Sequence, residues 1–386
     1  MPVLKRITDS HVALRIRRAL LGIVLLPVLA ACSDGSDNQP YLLAPPQAAP
    51  FAEIYEQGIV RYMGVYTPML SEQDGAVTNH YFAAGDGPVC GEGAAYSMAT
   101  RDQGSQDLMI FLEGGGACWS DFCLYVNETT PGVPQAGILD SARDNNPVKD
   151  WSVAYVPYCD GSLHAGDIDV DTDGDGRNDR FHHGLKNLSA ALDVAARTFP
   201  APRRILLAGQ SGGGLGTIFA LPLVRYLYPG VPIEVLDDSG VGVLKPGKPE
   251  FLRQIIAEWN IGAFIPASCA ECIPADGHLT GYLNWQLEQD PDVRRAMLSY
   301  TRDFNLADLF LVIGETAFEE ALSQEMREQE EAHPDRMRSW LVDGNGHTFV
   351  ELEPDRTAGG VALMDWLGLM LSGSEEWVSV RDAVSD

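Results

Sequence analysis

Short apolar runs alternate with longer stretches of helical periodicity along most of the chain. The runs LMIFL at 108–112 and ILLA at 205–208 are continuous and of strand length, as in strands buried on both faces of a parallel sheet. After the second run, apolar residues recur at helical spacing from 215 to 228. The same patterns predict further strands at 95–101, 151–157, 231–236, 308–313 and 339–342, and helices at 185–199, 250–265, 314–333 and 359–371.

The turn between the strand at 205–208 and its helix carries the clearest chemical signal, Gly209-Gln210-Ser211-Gly212-Gly213. Strand, G-x-S-x-G and helix together are typical of a nucleophile elbow. The turn is too tight for side chains beside the serine, so glycines flank it. We therefore predict that Ser211 is a nucleophile. The alternative is a glycine-rich turn with an incidental serine.

A second glycine run, Gly114-Gly115-Gly116, follows the strand at 108–112. Successive glycines leave backbone N–H groups open to a substrate. In hydrolases built on a nucleophile elbow, the loop in this place supplies half of the oxyanion hole, and the residue after the nucleophile supplies the other half. The predicted donors are therefore Gly115, Gly116 and Gly212. The alternative is a packing turn.

The alternation of strands and helices predicts the fold class. It is an α/β fold, α/β-hydrolase-like, with a mostly parallel sheet, helices on both faces, and lid or loop insertions. We place one catalytic domain at 51–386 and expect the helix at 250–265 to form part of a lid.

The catalytic base must follow the nucleophile in this fold. Three histidines do so: His278, His333 and His347. His347 lies in a glycine-rich loop after the last predicted strand, so it is the predicted acceptor of the Ser211 proton.

An acid must hold the other ring nitrogen of that histidine. Glu319, in the first helical turn after the strand predicted at 308–313, is the predicted acid. Glu315, Glu320, Asp237 and Asp238 remain alternatives. His164, in the loop after the strand at 151–157, either binds substrate or braces the loop.

The N-terminal residues have the pattern of an export signal. A basic region precedes an apolar run that ends in Leu29-Ala30-Ala31-Cys32, the form of a bacterial lipobox. This predicts a signal peptide at 1–31, a lipidated Cys32, and a flexible tether at 32–50. Ser33 after the cysteine favours the outer membrane of the bacterial envelope. The alternative is an ordinary secretory signal.

The six remaining cysteines are an even number in a chain expected to be exported, which indicates three disulfides. Our hypothesis is Cys118–Cys123, Cys269–Cys272 and, by elimination, Cys90–Cys159. Fifteen pairings are available to six cysteines.

The formal charge of −27 argues against a nucleic-acid partner. Within this acidic chain, Asp171, Asp173, Asp175 and Asp179 match positions 1, 3, 5 and 9 of a calcium loop. His182 takes position 12, where a bidentate glutamate is expected. We predict a structural Ca²⁺ site; the alternative is a solvated acidic loop. No cofactor is expected for catalysis.

These motifs resemble the pectin acetylesterase/Notum family of α/β hydrolases. The resemblance rests on LEGGGACW at 112–119, PYCDGSLHAGD at 157–167, HHGLKNLSAAL at 182–192, GQSGGGLG at 209–216, DDSG at 237–240 and GHT at 346–348. It implies the same nucleophile, base and oxyanion donors. The family acid is an aspartate in Y/F-D-x-x-Q, and the matching stretch here, at 318–322, has glutamate at Glu319. Relatives often have tryptophan in the glycine motif, where Ala117 is smaller.

The resulting hypothesis is a serine carboxylesterase that removes acetyl or other short acyl groups from an ester, expected to be carbohydrate-linked. Two alternatives stay open. One is an esterase or depolymerase for longer chains or polymers, and the other is a surface lipoprotein that binds glycans without catalysis.

Overall fold

The computed structural model describes residues 49–85 and 87–383, and all of them belong to one compact unit. The predicted signal peptide, the lipidated Cys32 and almost all of the predicted tether lie outside the described residues. None of the helices in the described ranges combines the length and the apolar character needed to span a membrane.

Ten strands form the central sheet, and three two-stranded ribbons accompany it. The strands are β1 Leu70–Asp74, β2 Val77–Tyr81, β3 Ser97–Arg101, β4 Asp107–Leu112, β5 Gly116–Trp119, β6 Phe122–Tyr125, β7 Ser152–Val156, β8 Ile168–Val170, β9 Arg180–His182, β10 Arg204–Gln210, β11 Ile233–Asp238, β12 Val293–Tyr300, β13 Met337–Val342, β14 Thr357–Ala358, β15 Val361–Ala362 and β16 Val380–Arg381. The α-helices are α1 Ala52–Glu56, α2 Gly184–Thr198, α3 Gly212–Leu227, α4 Pro249–Glu258, α5 Thr280–Gln289, α6 Glu315–Ala332 and α7 Leu363–Ser372.

The strand order in the sheet is β1-β2-β3-β7-β4-β10-β11-β12-β13-β16. From β7 to β16 neighbouring strands are parallel, whereas β1, β2 and β3 add an antiparallel edge. The architecture is that of an α/β hydrolase, as the sequence predicts. Because parallel strands end at one edge, the loops after β4, β10, β12 and β13 come together there.

The sheet separates two apolar cores, and residues that alternate along β10 contribute to both. Ile205 and Leu207 pack with α2 and α3 on one face, and Leu206 and Ala208 pack with α7 on the other. This two-sided burial explains why the central strands appear as continuous apolar runs.

One predicted strand is wrong, and the error affects the site. Residues 308–313 do not form a strand: Asn305–Phe310 is a π-helical turn, and the strand in this part of the sheet is β12. Arg294 and Arg295 interrupt its apolar pattern. Arg294 pairs with Glu234 at 2.6 Å, and Arg295 is fully buried.

The helix predicted at 250–265 is shorter than expected. It ends at Glu258, and Asn260, with φ 54°, turns the chain before a 3₁₀ turn at Gly262–Phe264. The indole N–H of Trp259 donates to the Cys118 carbonyl at 2.7 Å, which fixes this segment to the β5–β6 ribbon.

All three predicted disulfides are confirmed: Cys90–Cys159, Cys118–Cys123 and Cys269–Cys272. They enclose chain segments of very different length. Cys90–Cys159 joins positions 69 residues apart, whereas Cys269–Cys272 joins positions three apart. The first therefore restricts the unfolded chain much more than the third.

Removing the long-range disulfide with the double variant Cys90→Ala/Cys159→Ala should lower the free energy of unfolding by about 4 kcal/mol through loop entropy. The double variant Cys269→Ala/Cys272→Ala is the matched control and should lose only about 1.5 kcal/mol. Urea unfolding followed by tryptophan fluorescence measures both. Equal losses would show that loop length does not set the contribution of these disulfides.

Candidate active site

Ser211 occupies the sharp turn between β10 and α3. Its backbone has φ 54° and ψ −122°, a strained conformation for a residue with a side chain. A Cβ on Gly209 would lie only 2.1 Å from the Gly213 carbonyl oxygen, so this approach of strand and helix requires glycine. The Ser211 N–H donates to the Asp238 carbonyl at 2.7 Å and holds the turn to β11.

The Ser211 hydroxyl faces His347, as the sequence predicts. The hydroxyl Oγ lies 2.8 Å from His347 Nε2, and His347 Nδ1 lies 2.7 Å from Asp303 Oδ2. Asp303 is fully buried, and its Oδ1 accepts the Leu306 N–H at 3.1 Å. A buried carboxylate on Nδ1 leaves Nε2 free to accept a proton from the serine.

Glu319, the predicted acid, does not contact His347. Its carboxylate lies on α6 and faces Arg302 at 3.8 Å. Asp303 takes the predicted place because the preceding strand is β12, which ends at Tyr300, and not a strand at 308–313. The first carboxylate after β12 is Asp303, so recognising that strand would have identified it.

The other predicted alternatives also make contacts elsewhere. Glu315 lies 3.9 Å from the guanidinium of Arg302, and Glu320 is exposed. The Asp237 carboxylate is buried and accepts the Gly240 N–H at 2.8 Å.

Asp238 holds the loop that carries His347. Its Oδ2 accepts the Phe349 and Val350 N–H groups at 2.7 and 2.8 Å, and the neighbouring Ser239 hydroxyl donates to the His347 carbonyl. Burial raises the pKa of Asp238 to about 7, and the two N–H donors oppose that rise. Asp238 therefore positions the loop that carries His347, and it forms no hydrogen bond with the imidazole itself.

The predicted oxyanion donors lie beside the nucleophile. A Cβ on Gly212 would come within 3.6 Å of the Gly115 nitrogen, and one on Gly114 would lie 2.8 Å from Ser211 Cβ. Gly116 has φ +87°, and a Cβ there would lie 2.0 Å from the Leu124 carbonyl oxygen. As the first residue of α3, Gly212 has no intrahelical acceptor for its N–H. The donor role of these three N–H groups stays a prediction.

His164 braces the glycine run. It is 1% exposed, and its Nε2–H donates to the Glu113 carbonyl at 3.0 Å. Burial lowers the pKa of His164 to about 4, so the ring is neutral near pH 7. Of the two predicted roles, the structure favours bracing.

A pocket opens from Ser211 on the α3 face of the sheet. Apart from Ser211, every lining residue is glycine or apolar. They are Gly116, Ala117, Trp119, Leu163, Gly212, Leu215, Phe219, Val243, Leu244, Phe251, Leu252, Ile255, Trp259, Ile261, Leu279, Leu306, Phe310 and Leu311. The segment that was predicted as a lid helix thus forms part of the pocket wall.

The predicted calcium loop brings three of its four carboxylates together. Ligand atoms of Asp171, Asp173 and Asp175 all lie within 4.8 Å of one another. Asp179 instead accepts the Thr172 hydroxyl at 2.7 Å. His182, at position 12, points away and bonds the Asp160 carbonyl at 2.8 Å. Calcium binding stays a prediction.

Comparison with known proteins bears on the region around the nucleophile. The family model for Pectinacetylesterase matches residues 72–248, which include the glycine run, the elbow and β11. This part of the chain, a little under half of its 386 residues, therefore has the pattern of the pectinacetylesterase family. The matched region ends before Asp303 and His347, so their pairing with Ser211 rests on the geometry above.

Curated relatives agree with this assignment. The chain is 24% identical over 216 residues to the palmitoleoyl-protein carboxylesterase notum1' of Xenopus laevis, which covers 47% of this chain and 43% of that protein. It is 26% identical over 219 residues to pectin acetylesterase 11 of Arabidopsis thaliana, covering 50% of this chain and 54% of that protein. The matches therefore span about half the length of these relatives.

The contact between Asp303 and His347 predicts the reactivity of Ser211. Asp303→Asn should slow covalent labelling of Ser211 by a fluorophosphonate about 10³- to 10⁴-fold, because the amide stabilises the wrong tautomer of His347. Glu319→Gln, the matched control, should label at the wild-type rate. Mass spectrometry of the labelled peptide measures both rates. A slow Glu319→Gln together with a fast Asp303→Asn would restore Glu319 as the acid.

Proposed function

We propose that this protein is a serine carboxylic ester hydrolase. The observation that carries the proposal is the continuous arrangement of Ser211, His347 and Asp303 at the mouth of an apolar pocket. The relatives described above, a palmitoleoyl-protein carboxylesterase and a pectin acetylesterase, are enzymes of the same chemical class.

The first half of the reaction forms an acyl-enzyme. Ser211 Oγ attacks the ester carbonyl carbon while its proton passes to His347 Nε2. The C–O bond to the alcohol then breaks, and the alcohol leaves with that proton. Asp303 keeps the imidazole in the productive tautomer and stabilises its positive charge.

The second half repeats these steps with water. His347 takes a proton from water, the hydroxide attacks the acyl carbon, and Ser211 recovers its proton as the carboxylic acid leaves. The N–H groups of Gly115, Gly116 and Gly212 are the proposed donors to the oxyanion in both halves. Loss of one such donor typically costs about 3 kcal/mol of transition-state stabilisation.

The pocket supports an acyl chain longer than acetyl. An acetyl group has only one methyl group beyond its carbonyl carbon, whereas this pocket extends past α3 to α4 and the π-helical turn at 305–310. Each buried methylene contributes about 0.8 kcal/mol. We therefore favour the longer-chain alternative over the acetyl or short acyl groups that the motifs alone suggest.

A non-catalytic glycan-binding role has no support in the geometry. Such a protein does not need a buried acid on the second nitrogen of a histidine that faces a strained serine. The carbohydrate link of the substrate remains part of the proposal, as do lipidation of Cys32 and attachment to the bacterial outer membrane.

Hydrolysis of p-nitrophenyl esters tests the proposal. Wild-type kcat/KM should rise about tenfold or more from the C2 to the C8 ester, since added methylenes enter apolar surroundings. Ser211→Ala should reduce turnover by about 10⁶-fold. A protein with no turnover on any chain length, unaffected by Ser211→Ala, would refute esterase activity.

Ala117→Trp serves as the matched variant for chain length. Ala117 is 6% exposed and lines the pocket next to Gly116, so an indole there should obstruct a long acyl chain. The C8-to-C2 ratio of kcat/KM should fall about tenfold, while fluorophosphonate labelling reports that the variant is folded. An unchanged ratio would place the acyl chain elsewhere.

The proposed calcium loop has a separate test. Calorimetry should detect Ca²⁺ binding to the wild type, because three clustered carboxylates provide oxygen ligands, and the chelator EGTA should lower Tm. Asp171→Asn/Asp173→Asn should abolish both effects, whereas the exposed Asp144→Asn should keep them. Absence of heat and of a Tm shift in the wild type would leave an acidic loop only.

A further inference from the structure

The two halves of an ester must leave the reacting carbon in different directions. The apolar pocket takes one direction, and its walls belong to the core on the α3 face of the sheet. The alcohol must therefore lie on the other side of Ser211, toward His347, which protonates it.

Three polar side chains stand on that side, each next to a catalytic element in sequence. Glu113 precedes the glycine run, Gln210 precedes Ser211, and Glu351 follows His347 by four residues. All three are partly exposed at the edge where the parallel strands end.

The contacts of these three side chains place them next to the apolar core on the α7 face of the sheet. Glu113 Oε2 accepts the Tyr158 N–H at 3.1 Å, and its carboxylate also bonds the hydroxyl of Tyr155, which belongs to that core. The Gln210 amide N–H₂ donates to Glu351, which directly follows the core residue Val350.

The charge on this side is negative and uncompensated. Neither Glu113 nor Glu351 forms an ion pair with lysine or arginine within residues 49–85 and 87–383. Burial raises the pKa of both carboxyl groups, and Glu351 raises that of Glu113 further. In addition, Gln210 Oε1 is a buried atom without a hydrogen-bond partner among the described residues. The side offers hydrogen-bond acceptors and repels anions.

We propose that Glu113, Gln210 and Glu351 form the alcohol side of the site and select a neutral, hydroxyl-bearing alcohol against an anionic one. Hydroxyl groups donate to these acceptors, whereas a carboxylate beside the scissile ester meets two like charges. The inference rests on the proposed esterase activity and adds the chemical class of its leaving group. Together with the pocket, it describes an amphipathic substrate: an apolar acyl chain on an uncharged polyol.

Two esters that differ only at C6 of the sugar, a hydroxymethyl group in one and a carboxylate in the other, test this inference. The 3-O-octanoyl esters of methyl glucoside and of methyl glucuronoside share the acyl chain, the ester position and the ring. Wild-type kcat/KM should favour the neutral ester about tenfold or more, because juxtaposed like charges are strongly unfavourable. Glu351→Gln should reduce that preference several-fold by removing one of the two charges.

Glu331→Gln is the control for net charge. Glu331 is exposed near the C-terminal end of α6, just before β13 begins, and so lies at the opposite edge of the sheet. The Glu331→Gln variant should keep the wild-type preference for the neutral ester. In 0.5 M salt the preference of the wild type should weaken.

The outcomes separate this inference from the proposed function. Equal kcat/KM for the two esters in the wild type, or a preference that Glu351→Gln does not change, would overturn the alcohol-side assignment while turnover by Ser211 stands. Lack of turnover on both octanoyl glycosides and on p-nitrophenyl octanoate, with Ser211 unlabelled by fluorophosphonate, would instead remove the esterase activity itself.

Discussion

Asp238 connects Ser211, the proposed nucleophile, to the loop of His347, the proposed base, and the geometry of this pair depends on its contacts. Its carbonyl accepts the Ser211 N–H, and its carboxylate accepts the two N–H groups that follow His347 in the base loop. A single residue at the end of β11 thereby fixes the separation of two loops that come from β10 and β13. These hydrogen bonds partly offset the cost of burying a carboxylate, which raises its pKa to about 7.

This junction explains how a strained serine persists. The backbone of Ser211 lies outside the regions that residues with side chains prefer, and such a conformation is kept only where the surroundings determine it. On one side the turn is hydrogen-bonded to β11. On the other, the glycine run after β4 comes so close that a Cβ on Gly114 would lie 2.4 Å from the Gln210 carbonyl oxygen. Strain at Ser211 is therefore balanced by neighbouring segments, among them the glycine run that carries the proposed oxyanion donors.

The sequence predicts the parts of this site that are local in the chain. Ser211 and the glycine run each follow a strand whose apolar run is buried, and such continuous apolar residues give a strong pattern. Asp303 is not predicted from the sequence because the strand before it, β12, contains Arg294 and Arg295. Arg294 has an ion-pair partner on β11, and Arg295 is buried with Gln286 and near Asp237. Such pairing is tertiary and leaves no periodic signal.

A second limit of the apolar pattern explains the strand that is wrongly predicted at 308–313. Its apolar residues are not part of the sheet, since Phe310 and Leu311 line the pocket next to Ser211. Of this run only Leu311 is buried, and Val312 is 74% exposed. An apolar run of strand length therefore does not by itself indicate a strand of the sheet. Because β12 is not recognised from the sequence, the acid is predicted to be Glu319 on α6. The carboxylate that contacts His347 is Asp303, three residues after β12.

The division between family-matched and unmatched residues has a physical meaning for the substrate. The matched region, 72–248, contains Ser211 and one part of the pocket lining, whereas α4, the turn at 305–310 and Leu279 supply another part. Ser211 and the glycine run thus lie inside the matched region, whereas Asp303, His347 and about half of the pocket lining lie outside it. Members of one family that share an elbow and a glycine run can therefore differ in acyl length, and the shape and polarity of the unmatched wall are the better guide to what this chain hydrolyses.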